Sequence, residues 1–510
     1  MAIEFHRDGP WELPEGWVWA RLGQLGRWSG GGTPSKSNKA FWTGGSVPWI
    51  SPKDMKVDIV GDSADRITEA AVKNSSTKLV PAYSVLMVIR SGILNHTFPV
   101  AVCDRKVTLN QDMRALIPFD GVDARYVSLI CRRLQRHILE ECSKDGTTVA
   151  SVEPSRLEKV WIPLAPTAEQ RRLVARIGEL STEISDGEAS LTRARDDLNT
   201  WRSALLKAAV TGELTRGWRK QDATNESGAE MLANARLERD LAVARGNGRR
   251  LKLISPSDEI KLPTIPNNWA WGQLGDFLFG IEAGLNIKAD GHPPRVGETG
   301  IVKISAVTWD EFNETESKTL PAHAQIDESD LIRPGDLLIS RANTLELVGA
   351  PVIVKSCERR LVLSDKVLRL RVVSGLHRWI ELCLKSPIGR LQIEHYASGN
   401  QLSMRNITQE NIARLAIPVP PWNEIEKAIR IFEECNESRD DGRIAVEDAN
   451  HTAASLRQSI LKAAFEGHLI DQDPRDEPAE RLLARLSKLA DTPVLPRRTT
   501  KKRSTAVAAE

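Results

Sequence analysis

The side chains of this 510-residue chain best suited to recognition chemistry are amides, guanidiniums and ammoniums set in turn-rich stretches between short apolar runs. Between residues 13 and 165 they are Lys36, Lys39, Lys53, Arg90, Asn95, Arg105, Asn110, Gln111 and Thr148. Between 265 and 420 they are Lys288, Lys303, Arg341, Asn343, Arg359, Lys366, Asn400, Gln401 and Arg405. Amide and guanidinium groups match the donor and acceptor pattern of nucleobase edges, while Lys, Arg, Ser and Thr suit phosphates. Taken singly, each of them fits a solvated surface better. As a set beside strands they favour nucleic-acid contact. Two pairs look equivalent between the stretches, Arg90 with Arg341 and Thr148 with Gln401.

Bond-breaking chemistry is harder to find. No G-x-x-x-x-G-K-[ST] phosphate loop occurs, which argues against an ATP motor. Amino-methyltransferases place Asn, Asp or Ser before Pro-Pro-aromatic, but Val419-Pro420-Pro421-Trp422 has valine there and reads as a helix start. Asp258-Glu259-Ile260-Lys261 resembles a nuclease E-x-K in a linker context, where chance matches are frequent. His137, His292, His395 and His468 have no ligand spacing. The six cysteines (Cys103, Cys131, Cys142, Cys357, Cys383, Cys435) include no C-x-x-C pair, against a zinc site or a disulfide framework and for a reducing cytoplasm.

The elements that must carry the polar groups come in two copies. Arg202-Ser203-Ala204-Leu205-Leu206-Lys207-Ala208-Ala209 returns 255 residues later as Arg457-Gln458-Ser459-Ile460-Leu461-Lys462-Ala463-Ala464. Leu13-Pro14-Glu15-Gly16-Trp17-Val18-Trp19 returns at 252 as Ile265-Pro266-Asn267-Asn268-Trp269-Ala270-Trp271, and Pro99-Val100-Ala101-Val102 as Pro351-Val352-Ile353-Val354. Solenoid repeats have periods of about 20–50 residues, so this is duplication of a whole module. Val85-Leu86-Met87-Val88-Ile89 and Leu337-Leu338-Ile339-Ser340 read as strands. The leading proline makes Pro99–Val102 a strand start or an edge strand at best. Ala124 to Leu139 has helical spacing.

Each mixed head is followed by a heptad seam. Leu173, Ile177, Leu180, Ile184, Leu191, Ala194, Leu198, Trp201 and Leu205 step by 4 and 3, with Gly187 filling one gap. About 44 residues at ~1.5 Å rise predict a rod of ~65 Å. The second seam runs Ala428, Phe432, Cys435, Arg439, Gly442, Val446, Ala449, Ala453, Leu456 and Ile460. It is weaker, narrowed by alanines and interrupted by Arg439, and suits close approach to one particular helix. The residues expected to pair the helices are Leu173, Ile177, Leu180, Ile184, Leu191, Leu198, Trp201, Leu205, Phe432, Val446, Leu456 and Ile460. Two heads on two rods suit a reader of two sites at fixed distance, and DNA half-sites one or two turns apart need a ruler of ~34–70 Å. Simple dimerisation through the heptads is the alternative. The net charge of +2 from 70 basic and 68 acidic residues confines any attraction for DNA to local patches. No apolar signal core or membrane-length run is present, so a soluble intracellular protein is expected.

The order of short motifs resembles the DNA-specificity (S) subunits of Type I restriction-modification enzymes. The resemblance rests on Ser29-Gly30-Gly31-Gly32-Thr33-Pro34-Ser35 after the Leu-Pro-x-x-Trp opening. Gly146-Thr147-Thr148, Trp161-Ile162-Pro163-Leu164-Ala165-Pro166 and Glu169-Gln170 follow. The second copy has Gly399-Asn400-Gln401, Ala416-Ile417-Pro418-Val419-Pro420-Pro421 and Glu424-Ile425, with Gly284-Leu285-Asn286 replacing the glycine run. What it implies is an α/β (α+β) fold with two mixed target-recognition domains and two long antiparallel coiled-coil helices in a pseudo-two-fold repeat. The expected segments are recognition domain 1 at 1–165, spacer helix 1 at 166–216, and a short helix with linker at 217–264. Recognition domain 2 at 265–420, spacer helix 2 at 421–470, and a C-terminal helix with basic tail at 471–510 complete the chain. The resemblance further implies a non-catalytic subunit that reads a bipartite, asymmetric site in double-stranded DNA. Two modification (methyltransferase) subunits and restriction (motor-nuclease) subunits would be its partners. S-adenosylmethionine, ATP and Mg would be bound by those partners and no cofactor by this chain. A scaffold or inhibitor of the same complex that no longer binds DNA is the competing reading.

Overall fold

The computed structural model describes residues 11–144, 149–221, 226–249, 251–252, 260–308, 310–401 and 404–490. It forms two compact units, Met1–Leu191 with Asp448–Glu510, and Thr192–Glu447. Each unit therefore holds one head and a part of both long helices.

In the first unit the apolar, partly β-branched run Val85–Val88 is buried at every position. It lies inside a five-stranded sheet ordered Gly26–Gly30, Met113–Pro118, Val85–Val88, Val100–Cys103, Ile59–Val60. All pairs are antiparallel except the last, which is parallel. Pro99 stands just outside Val100–Cys103, so the strand keeps partners on both sides without needing a proline N–H. A second sheet runs Arg66–Ile67, Val47–Ile50, Val107–Leu109, Leu79–Val80. The second unit repeats the main sheet as Leu278–Ala283, Val367–Val372, Leu337–Ser340, Pro351–Ile353. In each head the first strand pairs antiparallel with the last: Val18–Arg21 with Trp161–Leu164, and Ala270–Gln273 with Ala416–Val419. Val419 thus closes a head and Trp422 opens a helix, which leaves the Pro-Pro-Trp run a junction.

One anchor joins head and helix in both units. The Trp17 indole N–H donates to Glu169 Oε2 at 3.0 Å, and that of Trp269 to Glu424 Oε2 at 2.9 Å. Tyr126 Oη donates to the Pro163 carbonyl at 2.9 Å, and Trp379 Nε1 to the Pro418 carbonyl at 2.9 Å. Each donor ring packs edge-on against the tryptophan of its own head. Beyond this the anchors differ. Glu424 Oε1 also accepts from Thr215 Oγ1 at 2.6 Å and Arg219 Nε at 2.8 Å. Glu169 Oε1 is buried and has no hydrogen-bond partner among the described residues; 255 residues beyond Thr215 and Arg219 the chain has Ile470 and Pro474.

The long helices, Thr167–Val210 and Trp422–Phe465, have 44 residues each. In the first unit they run antiparallel: Arg457 pairs with Glu188 and donates to Ser185 Oγ at 3.1 Å. Leu173, Ile177 and Ile184 share a core there with Ile460, Leu461, Ala464 and Phe465. In the second unit Leu205, Leu206 and Phe432 form the equivalent cluster, and Arg439 donates to Asn199 Oδ1 at 3.2 Å. A Cβ placed on Gly442 would sit 3.6 Å from Leu198, whereas Gly187 has nothing within 4 Å. Close approach thus explains the second glycine only. Val446 is buried, and Leu180, Leu191 and Leu198 are half-buried. Two expected seam residues stand in solvent instead, Trp201 at 42% exposure and Leu456 at 47%. A straight 3.6-residue helix drifts about 20° per heptad from a 3.5 repeat, so a long seam read in strict heptads leaves the contact face. Conversely Arg439, an interruption in the sequence pattern, is only 7% exposed and lies in the seam beside Asn199. Among the described residues no helix is long and apolar enough to cross a membrane.

Candidate nucleic-acid interface

The polar residues of the first head gather where strand ends meet. A Cβ on Gly31 would lie 1.7 Å from the Asn110 carbonyl oxygen, so only glycine lets these two loops touch. Gly32 N–H donates to the Leu109 carbonyl at 2.8 Å, and the Gly32 carbonyl accepts from Trp49 Nε1 at 3.0 Å. The turn Asn110–Asp112 is thereby fixed. The Asp112 carbonyl accepts from the N–H groups of Ile89 at 2.9 Å and Arg90 at 3.3 Å. Arg90 pairs in turn with Ser151. Three loops, 30–38, 89–97 and 110–112, are so tied together with residues 149–152.

On this platform Arg90 and Gln111 are exposed, and Thr33 contacts the Gln111 side chain. Lys36, Lys39 and Asn95 are exposed on flanking loops. The others have internal work. Asn110 is 6% exposed: its Oδ1 accepts from Asp112 N–H at 3.0 Å, and its Nδ2 donates to Asp112 Oδ2 at 3.2 Å. Its amide shapes the turn, as Asn commonly does, and does not face solvent as expected. Lys53 pairs with Asp65 at 2.8 Å, and Arg105 with Asp104 at 3.2 Å. Both pairs are exposed, so both cations can still reach solvent. Thr148 lies outside the described residues.

The second head rebuilds the platform. A Cβ on Gly284 would lie 2.1 Å from the Leu363 backbone, Leu285 N–H donates to the Leu363 carbonyl at 2.9 Å, and Arg341 N–H donates to the Lys366 carbonyl at 2.8 Å. Gly284 therefore does the work of Gly31, although the glycine run around it is gone. These bonds also correct the expected pairing of Arg90 with Arg341. Ile407 N–H donates to the Arg341 carbonyl as Val152 N–H does to that of Ile89, and Ala342 pairs with Asn406 as Arg90 does with Ser151. Arg341 thus matches Ile89, and Arg90 matches buried Ala342. A one-residue shift on a strand turns a side chain to the opposite face.

Other candidates of the second head divide likewise. Lys288 and Lys366 are exposed. Lys303 pairs with Glu316 at 3.5 Å, Arg359 donates to the Pro294 carbonyl at 2.6 Å, and Asn343 Oδ1 accepts from Thr344 N–H at 2.8 Å. Arg359 and Asn343 thus hold loops in shape. Asn400 and Gln401 belong to the hairpin strand Ser398–Gln401, whose partner Met404–Asn406 pairs with Ala342–Asn343. Arg405 is half-buried on that partner, its Nε without a hydrogen bond among the described residues. Sequence reading passed over Asp112, Ser151 and Asn406, whose importance lies in backbone pairing that composition does not reveal.

Residues 14–190 match the Type I restriction modification DNA specificity domain. Over 179 residues the chain is 43% identical to the EcoR124I/EcoR124II Type I restriction enzyme specificity subunit of Escherichia coli, covering 35% of this chain and 44% of that protein. Over 295 residues it is 28% identical to the EcoEI specificity subunit of Escherichia coli, covering 57% and 48%. The matched stretch thus spans under half the length of either relative. A solved chain, described under complex assembly and conformational transition of the type I R-M system, is 18% identical and covers 90% of this chain and 100% of its own, with a TM-score of 0.61. That likeness concerns the fold.

Proposed function

We propose that this chain, a member of the Type I restriction-modification DNA-specificity family, is the non-catalytic subunit that reads a bipartite, asymmetric sequence in double-stranded DNA. One observation carries the reading. Two heads share a backbone platform, held by Gly31 in one and Gly284 in the other, yet present different side chains at equivalent places on it. Two readers of unlike half-sites would need different side chains on one shared platform. Heads 1–165 and 265–420 are the readers, and the helices in 166–216 and 421–470 set the unread gap. Lys36, Lys39, Lys53, Arg105, Lys288, Lys303 and Lys366 serve phosphates. Arg90, Asn95, Gln111, Thr148, Arg341, Asn400, Gln401 and Arg405 are the candidates for base edges.

The helices also dock two modification subunits, and restriction subunits join for cleavage. S-adenosylmethionine, ATP and Mg act on those partners, in the cytoplasm. Exchanging residues 13–165 for the corresponding head of another specificity subunit, and sequencing the methylome of cells that also express the modification subunits, tests this. One half of the methylated motif should change and the other stay. A change in both halves would refute the two-reader assignment.

A further inference from the structure

The reading of the first head can be taken to particular bases. We infer that Arg90 and Gln111 form a prearranged pair that reads neighbouring purines in the major groove, Arg90 a guanine and Gln111 an adenine. The inference rests on the DNA-recognition function proposed above. Arg90 is exposed, and among the described residues its guanidinium has no hydrogen-bond partner. Its backbone is held on one side by the Asp112 carbonyl, at 3.3 Å, and on the other by the bridge to Ser151. The side chain therefore projects from a position that cannot wander. An unpaired guanidinium on a fixed strand end is the fork that fits guanine O6 and N7.

Gln111 is next to Asp112 and so belongs to the same turn. The Thr33 hydroxyl donates to its Oε1, and its Nε2 donates to Asp112 Oδ2 at 3.3 Å. An amide has two N–H donors and two acceptor lone pairs. Those two bonds leave one of each on a plane that is already oriented. One donor beside one acceptor is what adenine N7 and N6 require. The two readers rise from neighbouring strand ends, about 4.8 Å apart in a sheet, and base pairs stack at about 3.4 Å. With side-chain reach added, they address adjacent pairs. Thr33 acts through Gln111 and is a positioning residue.

The second head gives the contrast. Its matching positions hold Ala342, which is buried, and Asp365, whose N–H donates to the Leu285 carbonyl at 2.9 Å. Neither offers a guanidinium or an amide, so the same platform cannot read the same bases there.

The test uses the full chain in complex with its modification subunits and a duplex library randomised over the first half-site. Arg90→Ala should flatten selection at one guanine, and Gln111→Glu should lose one neighbouring adenine, each by about 10- to 100-fold. Thr33→Val should weaken the adenine preference alone. The second half-site should be unchanged in all three. Unchanged base preference in Arg90→Ala and Gln111→Glu would overturn the pair while leaving the two-reader function intact. A uniform loss over all sequences by a folded variant would assign these side chains to phosphates and overturn it as well. If the unaltered complex selects no bipartite sequence, the functional reading fails, and the pair with it.

Discussion

Replacing Glu424 by glutamine should loosen the second unit far more than Glu169→Gln loosens the first, although the two carboxylates hold matching places. Glu424 accepts three hydrogen bonds, from Trp269, Thr215 and Arg219. A glutamine can keep at most the two made to Oε1, without the charge that strengthens them, and then turns its N–H₂ group toward the Trp269 indole N–H. Bonds to charged groups contribute about 1.5–3 kcal/mol each. The Arg219 side chain is about one-fifth exposed, so water offsets part of the loss, and about 2–4 kcal/mol is expected after that discount. Among the described residues Glu169 accepts the Trp17 bond alone, which a glutamine carbonyl preserves, and its second oxygen has no hydrogen-bond partner. The change there should stay within about 1 kcal/mol.

Hydrogen exchange read by mass spectrometry on peptides from Ala270–Gln273 and Val18–Arg21 separates the two effects. At 1.4 kcal/mol per tenfold, the second-unit peptide should exchange about 30- to 700-fold faster in Glu424→Gln. The first-unit peptide should change less than about tenfold in Glu169→Gln. The pH dependence has a definite sign. Burial raises the Glu169 carboxyl; the Trp17 bond and Arg172 pull it down, and Asp476 pushes it up. A carboxyl whose folded pKa exceeds its unfolded value, near 4.3, binds its proton more tightly when folded. Its destabilisation is therefore complete above the raised value and disappears as pH falls toward the unfolded one. Exchange in the first-unit peptide should slow as pH falls through the raised value toward the unfolded one near 4.3, relative to Glu169→Gln, after correction for intrinsic rates. Equal effects of the two substitutions, or a first unit that tightens with rising pH, would refute the argument.

Gly31→Ala should cost about 1–3 kcal/mol or more, because the new Cβ meets the Asn110 backbone at 1.7 Å; a melting curve that matches the parent would count against the platform. Gly187→Ala, with nothing within 4 Å, should stabilise by about 0.5–1 kcal/mol, and a loss of stability would reveal a contact at that face. Phe432→Ala removes a buried ring and should cost about 3–5 kcal/mol, whereas Leu456→Ser, at a side chain 47% exposed, should stay within about 0.5 kcal/mol. Burial pushes the Cys131 thiol up to about 12 and the Cys357 thiol up to about 11, so a thiol reagent at pH 8 should label half-buried Cys435 well before either.

Much of the architecture was legible because duplication writes each element twice. The 255-residue offset between helix motifs returns as two helices of 44 residues each, and the 252-residue offset as matching strand orders in the heads. What escaped had physical causes. The offset changes along the chain, so Arg90 and Arg341 looked equivalent when one residue separates them. Only the Asp112 and Lys366 carbonyls, with their N–H partners, fix the alignment. Asn110 carries a reader's side chain, but its amide closes a turn. Trp201 fits a strict heptad, but the helix turns it into solvent. In each case residue type was visible and direction was not, and direction is set by backbone hydrogen bonds made far along the chain.

The two copies have diverged by different amounts in different places, and that separates scaffold from reader more sharply than either copy alone. Where backbone meets backbone there is little freedom. A side chain at Gly31 or Gly284 would overlap main-chain atoms, so both heads keep glycine there even though the sequence around it has changed. The Trp–Glu anchors likewise persist because each holds a head against the start of its helix. Side chains that leave the platform toward solvent meet no such limit. Arg90 in one copy is Ala342 in the other, and Gln111 is Asp365, while the bonds of Gly32 to Leu109 and of Ile89 to Asp112 return as those of Leu285 to Leu363 and of Arg341 to Lys366. A surface that can exchange guanidinium for methyl, or amide for carboxylate, over a shared backbone platform can acquire new specificity without refolding. The same logic explains the unequal anchors. Thr215 and Arg219 add bonds to Glu424 that Ile470 and Pro474 cannot supply to Glu169, so the second unit is clasped by three donors and the first by one.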